Sequence, residues 1–197
     1  MGTYEHAREE TKKKIVNAFW QIYQEKTIDK ITVREITELS GIHRATFYLY
    51  YSDIYAVLER IEKRILREVT EICAPFAQRQ FSSIEFVRQI YDYYQTRRPY
   101  FHHLIIKQRD SVFAAEIQKM ILDSICQYVR LDLEQLPPKD RLLFQTTGSE
   151  LTHLMLLCSD EESFTFEDTL NILLGFSRTG LSKTLQNVYG IPVQLPI

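Results

Sequence analysis

The sequence predicts an all-α protein, and two observations carry that prediction. Only 6 Gly and 6 Pro occur among the 197 residues, so few positions interrupt regular structure. Over long stretches between them, apolar side chains recur at the 3.6-residue spacing of amphipathic helices. Hydrophobic residues make up 45% of the chain, which is enough to fill a core. The length allows one large domain or two small ones.

The apolar stripes and the prolines set the expected order of about nine helices. The first helix is predicted from about Arg8 to Glu25, with Ile15, Ala18, Phe19 and Ile22 on one stripe. Two short helices are expected within residues 32–51. The later helices are predicted at about Asp53 to Cys73, Ser82 to Thr96, Pro99 to Ile105, Ser111 to Leu133, Lys139 to Cys158, and Thr165 to Asn187 or Val188. Pro75 is expected to mark a break, and Pro99 to open a separate short helix.

Residues 32–51 are the most informative segment of the chain. Thr32 is followed three residues later by Glu35, a spacing that predicts a capping box at the start of a short helix. Val33, Ile36 and Leu39 form its apolar set, and Gly41 is expected to end it. This pattern predicts a tight glycine turn that leads directly into a second helix.

The second short helix is predicted from about His43 to Tyr51. Ile42 and Phe47 can turn inward, while hydrogen-bonding side chains face away from the core. These outward groups belong to Arg44, Thr46, Tyr48 and Tyr50. A helix with such groups can lie in the major groove of DNA, where they can contact bases and phosphates.

The run from Gly41 to Tyr48, followed by Tyr50 and Tyr51, resembles the signature of the TetR (tetracycline-repressor) family of transcription regulators. The upstream residues 32–35, Thr-Val-Arg-Glu, stand at the matching offset, and about sixty N-terminal residues share the resemblance. It implies a three-helix DNA-binding domain over residues 1–52 and a larger ligand-binding and dimerisation domain over residues 53–197. It also implies a homodimer on a palindromic double-stranded DNA operator, and a small-molecule effector.

Seven residues are expected to contact DNA: Arg34, His43, Arg44, Ala45, Thr46, Tyr48 and Tyr50. Arg34 could equally be a solvated surface charge, and the motif around it favours a contact. The sequence departs from the family at His43, where a Ser or Thr commonly caps the helix, so we expect either a weaker cap or another role for the imidazole. Ser52-Asp53-Ile54 also lacks the lysines that family members often place there.

Charge alone would not indicate a nucleic-acid partner. The formal net charge is -2, and residues 1–51 carry eight basic side chains against seven acidic ones. The basic residues are Arg8, Lys12, Lys13, Lys14, Lys26, Lys30, Arg34 and Arg44; the acidic ones are Glu5, Glu9, Glu10, Glu25, Asp29, Glu35 and Glu38. We therefore expect modest non-specific affinity for DNA, with specificity carried by a few placed groups.

Other classes of function find little support in the sequence. Cys73, Cys126 and Cys158 are widely spaced, which suits buried residues in a reducing cytoplasm better than redox sensors. His102 and His103 are adjacent, so they cannot clamp one metal from a helix, and no zinc spacing occurs. No apolar run reaches the length needed to span a bilayer. We expect a cytoplasmic protein that is not an enzyme and has no metal or cofactor.

An aromatic-rich segment follows the DNA-binding motif. The resemblance implies a ligand cavity there, and an apolar or aromatic ligand would suit its rings. The candidate lining residues are Phe86, Tyr93, Tyr94, Phe101, His103 and Phe113. The alternative is ordinary helical core, which is the usual role of such residues. The long fourth helix, with its apolar stripe from Ile54 to Ile72, would connect this segment to the DNA-binding domain.

The last two long helices could form a dimer interface or simply belong to the core. Small residues such as Gly148 and Gly175 allow close helix approach in either case. In the family the final two helices of each subunit pair across a two-fold axis. The residues assigned to that interface are Leu151, Met155, Leu170, Leu173, Ser177 and Leu181.

Three hypotheses of function follow from the sequence. The first is a dimeric repressor released by a small ligand. The second is a DNA-binding regulator without such a ligand, whose C-terminal domain recruits a protein partner. The third is an all-helical enzyme or carrier with an accidental N-terminal match, for which no catalytic triad or phosphate-binding loop is present.

Overall fold

A computed structural model of the chain describes residues 3–160 and 163–179. These residues form eight α-helices and no strand, which confirms the all-α prediction. The helices are α1 (Thr3–Tyr23), α2 (Val33–Ser40), α3 (Arg44–Tyr50), α4 (Ile54–Ala77), α5 (Ser83–Phe101), α6 (Ser111–Val129), α7 (Pro138–Asp160) and α8 (Phe166–Thr179). None of the described helices combines the length and apolar character needed to cross a membrane.

The chain divides into two compact units, Met1–Ile65 and Leu66–Ile197, and the division falls inside α4. The predicted boundary between a DNA-binding domain over residues 1–52 and a second domain over residues 53–197 stays a prediction. In the first unit α1 packs against α2, and α2 against α3. The side chains at the centre of this core are fully buried or nearly so: Ile15 and Phe19 of α1, Ile36 of α2, Phe47 of α3, and Val57 and Ile61 of α4.

The apolar stripe predicts a first helix from about Arg8 to Glu25, whereas α1 covers Thr3–Tyr23, so both of its ends come earlier. The stripe marks only the part of the helix that packs, and polar turns can extend a helix beyond it. Of the apolar set in α2, Ile36 is fully buried, whereas Leu39 is about half exposed.

Pro75 does not break the fourth helix, which continues to Ala77. Proline lacks an N–H donor and its ring crowds the preceding turn, but Pro75 lies only two residues from the end of the helix. Its carbonyl still accepts a hydrogen bond from the Gln80 nitrogen at 3.0 Å. The neighbouring ring of Phe76 holds this last turn in place. It stacks against Phe86 at 4.0 Å and against Tyr128 at 4.4 Å between centroids.

Pro99 does not open a new helix either, because α5 runs through it to Phe101. The expected two helices are therefore one, and this accounts for eight α-helices rather than nine in the described residues. A π-helical turn, His102–Lys107, follows directly. Its wider hydrogen-bond spacing is seen where the Gln108 nitrogen donates to the His103 carbonyl, five residues back, at 2.9 Å.

The ends of the later helices follow from local backbone geometry. Helix α6 stops at Arg130, which adopts a left-handed conformation (φ 59°), so the predicted end near Leu133 was wrong. At the start of α8, the Thr165 hydroxyl accepts from the Asp168 nitrogen at 3.2 Å, in agreement with the predicted start. The predicted end of this helix near residues 187–188 lies outside the described residues.

Candidate nucleic-acid interface

The capping box at the start of α2 forms as the sequence predicts. The Thr32 hydroxyl accepts from the Glu35 nitrogen at 3.3 Å, and the Thr32 nitrogen donates to the Glu35 carboxylate at 2.9 Å. Lys26 forms an ion pair with the same carboxylate. The hydrogen bond from Lys26, followed by those from Thr32, lowers the pKa of Glu35 from 4.5 to about 2. The entry to α2 is thus held by a charged carboxylate.

Gly41 makes the turn between the two short helices. Its backbone is left-handed (φ 68°, ψ 24°), and its N–H donates to the Thr37 carbonyl. The Ile42 nitrogen donates to that carbonyl as well, at 3.2 Å. A Cβ at position 41 would meet no atom within 4 Å, so glycine is required here by backbone conformation and not by space.

Helix α3 begins after His43, whose side chain makes no capping hydrogen bond. This agrees with the weaker cap expected at that position. Packing on the inner side of α3 stabilises the helix instead. Phe47 is fully buried there, and its ring centroid lies 5.9 Å from that of Tyr51. Burial raises the pKa of the Tyr51 hydroxyl. Packing of one aromatic pair sets which side of α3 faces outward.

Arg44 and Tyr48 lie one helical turn apart on the outward side of α3. A guanidinium nitrogen of Arg44 donates to the Tyr48 hydroxyl at 3.3 Å, and its carbon lies 5.7 Å from the centroid of that ring. Tyr48 is 47% exposed. The guanidinium group of Arg44 therefore has a positive charge and further N–H donors next to an exposed aromatic ring. Such donors can bind the acceptor atoms of a guanine in the major groove.

Tyr50 lies on the other side of α3 and faces two cations of α1. The Lys12 ammonium is 5.9 Å and the Arg8 guanidinium 6.0 Å from its ring centroid. Sequence reasoning did not connect these basic residues with Tyr50, because nothing in the spacing shows that α1 passes beside α3. Lys12 also pairs with Glu9 at 2.6 Å. Arg8, Lys12 and Tyr50 thus place two cationic groups and a hydroxyl close together, and such donors could bind a phosphate.

The remaining candidates of the DNA-binding set are on the surface. His43 and Ala45 are exposed, and Thr46 is half-buried. Arg34 is exposed and paired with Glu38 at 2.7 Å, one turn along α2. Exposed pairs of this kind contribute little to stability, so Arg34 could exchange its partner for a phosphate at small cost. Its role in DNA contact stays a prediction.

The predicted ligand-lining residues separate into smaller groups. Phe86 belongs to the ring stack with Phe76. Phe101 meets Tyr94 at 4.2 Å and Tyr93 at 5.8 Å, both edge to face. His103 and Phe113 are buried; a ring nitrogen of His103 lies 3.2 Å from the amide of Gln108. The structure thus brings Tyr93, Tyr94 and Phe101 together, while their role toward a ligand stays a prediction.

Tyr93 is also part of a polar group that sequence reasoning missed. Its hydroxyl donates to Glu68 at 2.8 Å, and Arg97 pairs with the same carboxylate through two nitrogens at 2.9 and 3.1 Å. Burial first, and then the Glu68 carboxylate, raise the pKa of Tyr93 well above its ordinary value. Only the packing of α4 against α5 brings Glu68 within reach, so no sequence spacing could have indicated it.

Two of the six predicted dimer residues are buried inside the single chain. Met155 and Leu173 are buried, and Leu151 and Leu170 are half-buried. Leu181 lies outside the described residues, as does the side chain of Ser177. A Cβ on Gly148 would lie 2.8 Å from the Leu122 side chain, so this glycine serves close packing of α7 on α6. The dimer assignment stays a prediction.

The exposed face of α7 carries other apolar residues. Leu142 is 65% exposed and Leu157 is 45% exposed. With the exposed His153, they lie within about 60° of each other around the helix, on the side opposite Met155. This face is available for a partner, whereas Met155 is not.

The three cysteines are buried, as expected of small apolar residues. Burial raises the pKa of the Cys126 thiol to about 11 and also raises those of Cys73 and Cys158. Such thiols are poorly reactive at neutral pH. Within residues 3–160 and 163–179, no three His, Cys, Asp or Glu side chains assemble into a metal-binding group.

Two short helices are joined by a left-handed glycine turn, and the second presents Arg44 and Tyr48 outward. This is the arrangement of helix-turn-helix DNA-binding proteins. The fold around it is similar to that of a TetR transcriptional regulator from Streptococcus agalactiae 2603V. The TM-score is 0.66, at 21% identity over 87% of this chain and 96% of that one. A TetR-family transcriptional regulator from Streptomyces coelicolor gives 0.61, at 14% identity over 85% of this chain and 81% of that one.

The dihydroxyacetone kinase operon activator DhaS is similar as well, with a TM-score of 0.50 at 14% identity over 86% of this chain and 97% of that one. No protein-family model and no curated protein matches the sequence. The chain therefore has the fold of TetR-family transcriptional regulators, as the N-terminal motif predicts.

Proposed function

We propose that this protein is a sequence-specific DNA-binding transcription regulator of the cytoplasm. The observation that supports it best is the contact between Arg44 and Tyr48 on the outward side of α3. This contact uses one N–H donor of the Arg44 guanidinium and leaves other donors for a base. Tyr50, Lys12 and Arg8 supply a positive surface beside it. Base contacts from the first group would give specificity, and phosphate contacts from the second would set the orientation.

We further propose that the protein is a homodimer and reads a palindrome. A two-fold axis would present two α3 helices about one DNA turn apart, roughly 34–36 Å or a multiple, to the two half-sites. The exposed α7 face with Leu142 and Leu157 supports a partner-facing role for the C-terminal helices.

The first candidate for regulation is a repressor that a small apolar or aromatic ligand releases from DNA. The ring group of Tyr94 and Phe101 supports this choice of ligand chemistry, since it offers aromatic faces and few charges. A ligand that binds among these rings would compete with DNA, and by thermodynamic reciprocity DNA would weaken ligand binding by the same factor.

One observation favours the second candidate, a regulator that recruits a protein partner instead. Several rings predicted to line a cavity are packed against other rings: Tyr94 lies 4.2 Å from Phe101, and Phe86 lies 4.0 Å from Phe76, which is not one of the predicted lining residues. DhaS, which has a similar fold, is an operon activator. Both activation and repression of transcription are therefore compatible with this fold.

Two experiments test these proposals. Genome-wide capture of DNA fragments with the purified full-length protein should recover a palindromic sequence; recovery of no preferred sequence would contradict a DNA-binding function. An effector found by screening should then be titrated calorimetrically with and without that DNA. Ligand affinities that differ by about 5- to 150-fold would support the ligand-released repressor. Equal affinities would favour the protein-recruiting regulator.

A further inference from the structure

The centre of the outward face of α3 is apolar. Phe47 points into the core, and residues two positions before and after it, Ala45 and Leu49, lie about 160° from it around the helix. Both are exposed. Leu49 is 77% exposed, the largest fraction for any large hydrophobic side chain in the described part of the chain. Their four-residue spacing makes Ala45 and Leu49 neighbours on this face.

Polar side chains stand on both sides of this apolar pair. Arg44 and Tyr48 lie on one side of the helix, and Thr46 and Tyr50 lie on the other. If both flanks contact DNA, the middle of the face must enter the groove between them. Leu49 would then face the bases from the middle of the helix, and the small Ala45 would permit close approach of the helix.

We propose that Leu49, with Ala45 beside it, contacts the 5-methyl group of a thymine. This inference rests on the proposed DNA-binding function and adds a specificity-determining residue to it. Thymine is the base that presents an apolar group in the major groove of unmodified DNA. A leucine has no donor or acceptor, so opposite the cytosine amino group it would leave a buried donor without a partner, which is unfavourable.

The test removes one methyl group at a time from the DNA. The full-length protein first selects its preferred duplex from a random library. Each thymine of that duplex is then replaced singly by deoxyuridine, which lacks only the 5-methyl group. We expect one thymine in each half-site at which this replacement weakens binding about three- to fivefold, as for loss of one buried methyl group.

Two variants assign the effect to the side chain. Leu49→Ala and Leu49→Gln should bind the thymine and deoxyuridine duplexes equally at that position. Because Leu49 is on the surface, both should fold, and circular dichroism checks this. Val112→Ala is the matched control, since Val112 is also an exposed aliphatic residue, at the start of α6. It should keep the full sensitivity to deoxyuridine.

The outcomes separate this inference from the proposed function. Selection of no preferred duplex would overturn both. A preferred duplex whose deoxyuridine sensitivity is the same in the wild type and in both Leu49 variants would overturn the role of Leu49 alone. So would tight, specific binding without any sensitive thymine, and Leu49 would then be a candidate for contact with another protein.

Discussion

The guanidinium group of Arg44 and the ring of Tyr48 hold each other on the exposed side of α3. The nitrogen–oxygen distance is 3.3 Å, and the guanidinium carbon is 5.7 Å from the ring centroid. Residues four apart on a helix are neighbours, so this contact follows from the sequence once α3 forms. It limits the freedom of a long side chain before DNA arrives, which lowers the entropic cost of a base contact.

We expect Arg44→Ala to reduce sequence discrimination by about 1–3 kcal/mol, because a bidentate contact to guanine would be lost. Competition between the preferred duplex and single-base-pair variants measures this. Arg44→Lys is the control for charge: it should retain non-specific affinity but not discrimination, since an ammonium group cannot form the planar two-point contact. An unchanged preferred site in Arg44→Ala would rule out the base-reading role.

Tyr50→Phe should weaken binding to all sequences by a similar factor, because it removes a hydroxyl that we assign to phosphate. Lys12→Ala should do the same and also reduce the slope of log affinity against log salt by about 1, since one fewer counterion is released. Binding isotherms at several salt concentrations measure both effects. Lys63→Ala, which removes an exposed cation on α4 paired to Glu59, is the control. A change in sequence preference with Tyr50→Phe would contradict this assignment.

The Glu35 carboxylate should make the stability of the first unit depend on pH. Its pKa is lowered from 4.5 to about 2 by Lys26 and Thr32. A depressed pKa means that the stabilising contribution is fully present above about pH 4.5 and is lost as the pH falls toward 2. Urea unfolding followed by fluorescence of Trp20, the one tryptophan of the chain and a residue of α1, measures it.

Glu35→Gln should remove part of the fall in stability between pH 4.5 and 2 while keeping the shape of the side chain. Glu38→Gln is the matched control on the same helix, since Glu38 belongs to an exposed pair outside the capping box. If both variants unfold with the pH dependence of the wild type, the charged capping box does not stabilise α2.

Leu157→Glu should dissociate the proposed dimer, because it places a charge in an apolar contact between subunits. Analytical ultracentrifugation at micromolar concentration measures the shift from dimer to monomer, and Val112→Glu on α6 should leave the mass unchanged. A charge at the buried Leu173 would instead destabilise the fold and is a poor test. A dimer that persists in both Leu142→Glu and Leu157→Glu would exclude this face of α7.

Local signals in the sequence determined the capping boxes, the turn and the helical class. Thr32 and Glu35 satisfy each other's backbone groups within one turn, and Gly41 alone can adopt the left-handed backbone without strain. These interactions join residues only a few positions apart, so spacing and residue type are sufficient to predict them. For the same reason the α3 contact residues could be proposed from the motif alone.

Tertiary structure decided whatever depended on residues far apart in the chain. Beside Pro75, the Phe76 ring stacks on Phe86 and Tyr128, which are distant in sequence, and Glu68 reaches Arg97 only because α4 packs on α5. The exposure of Leu49 and the burial of Met155 likewise depend on which side of each helix meets a neighbour. An apolar stripe identifies a side that is suited to burial, but only packing selects the partner that covers it.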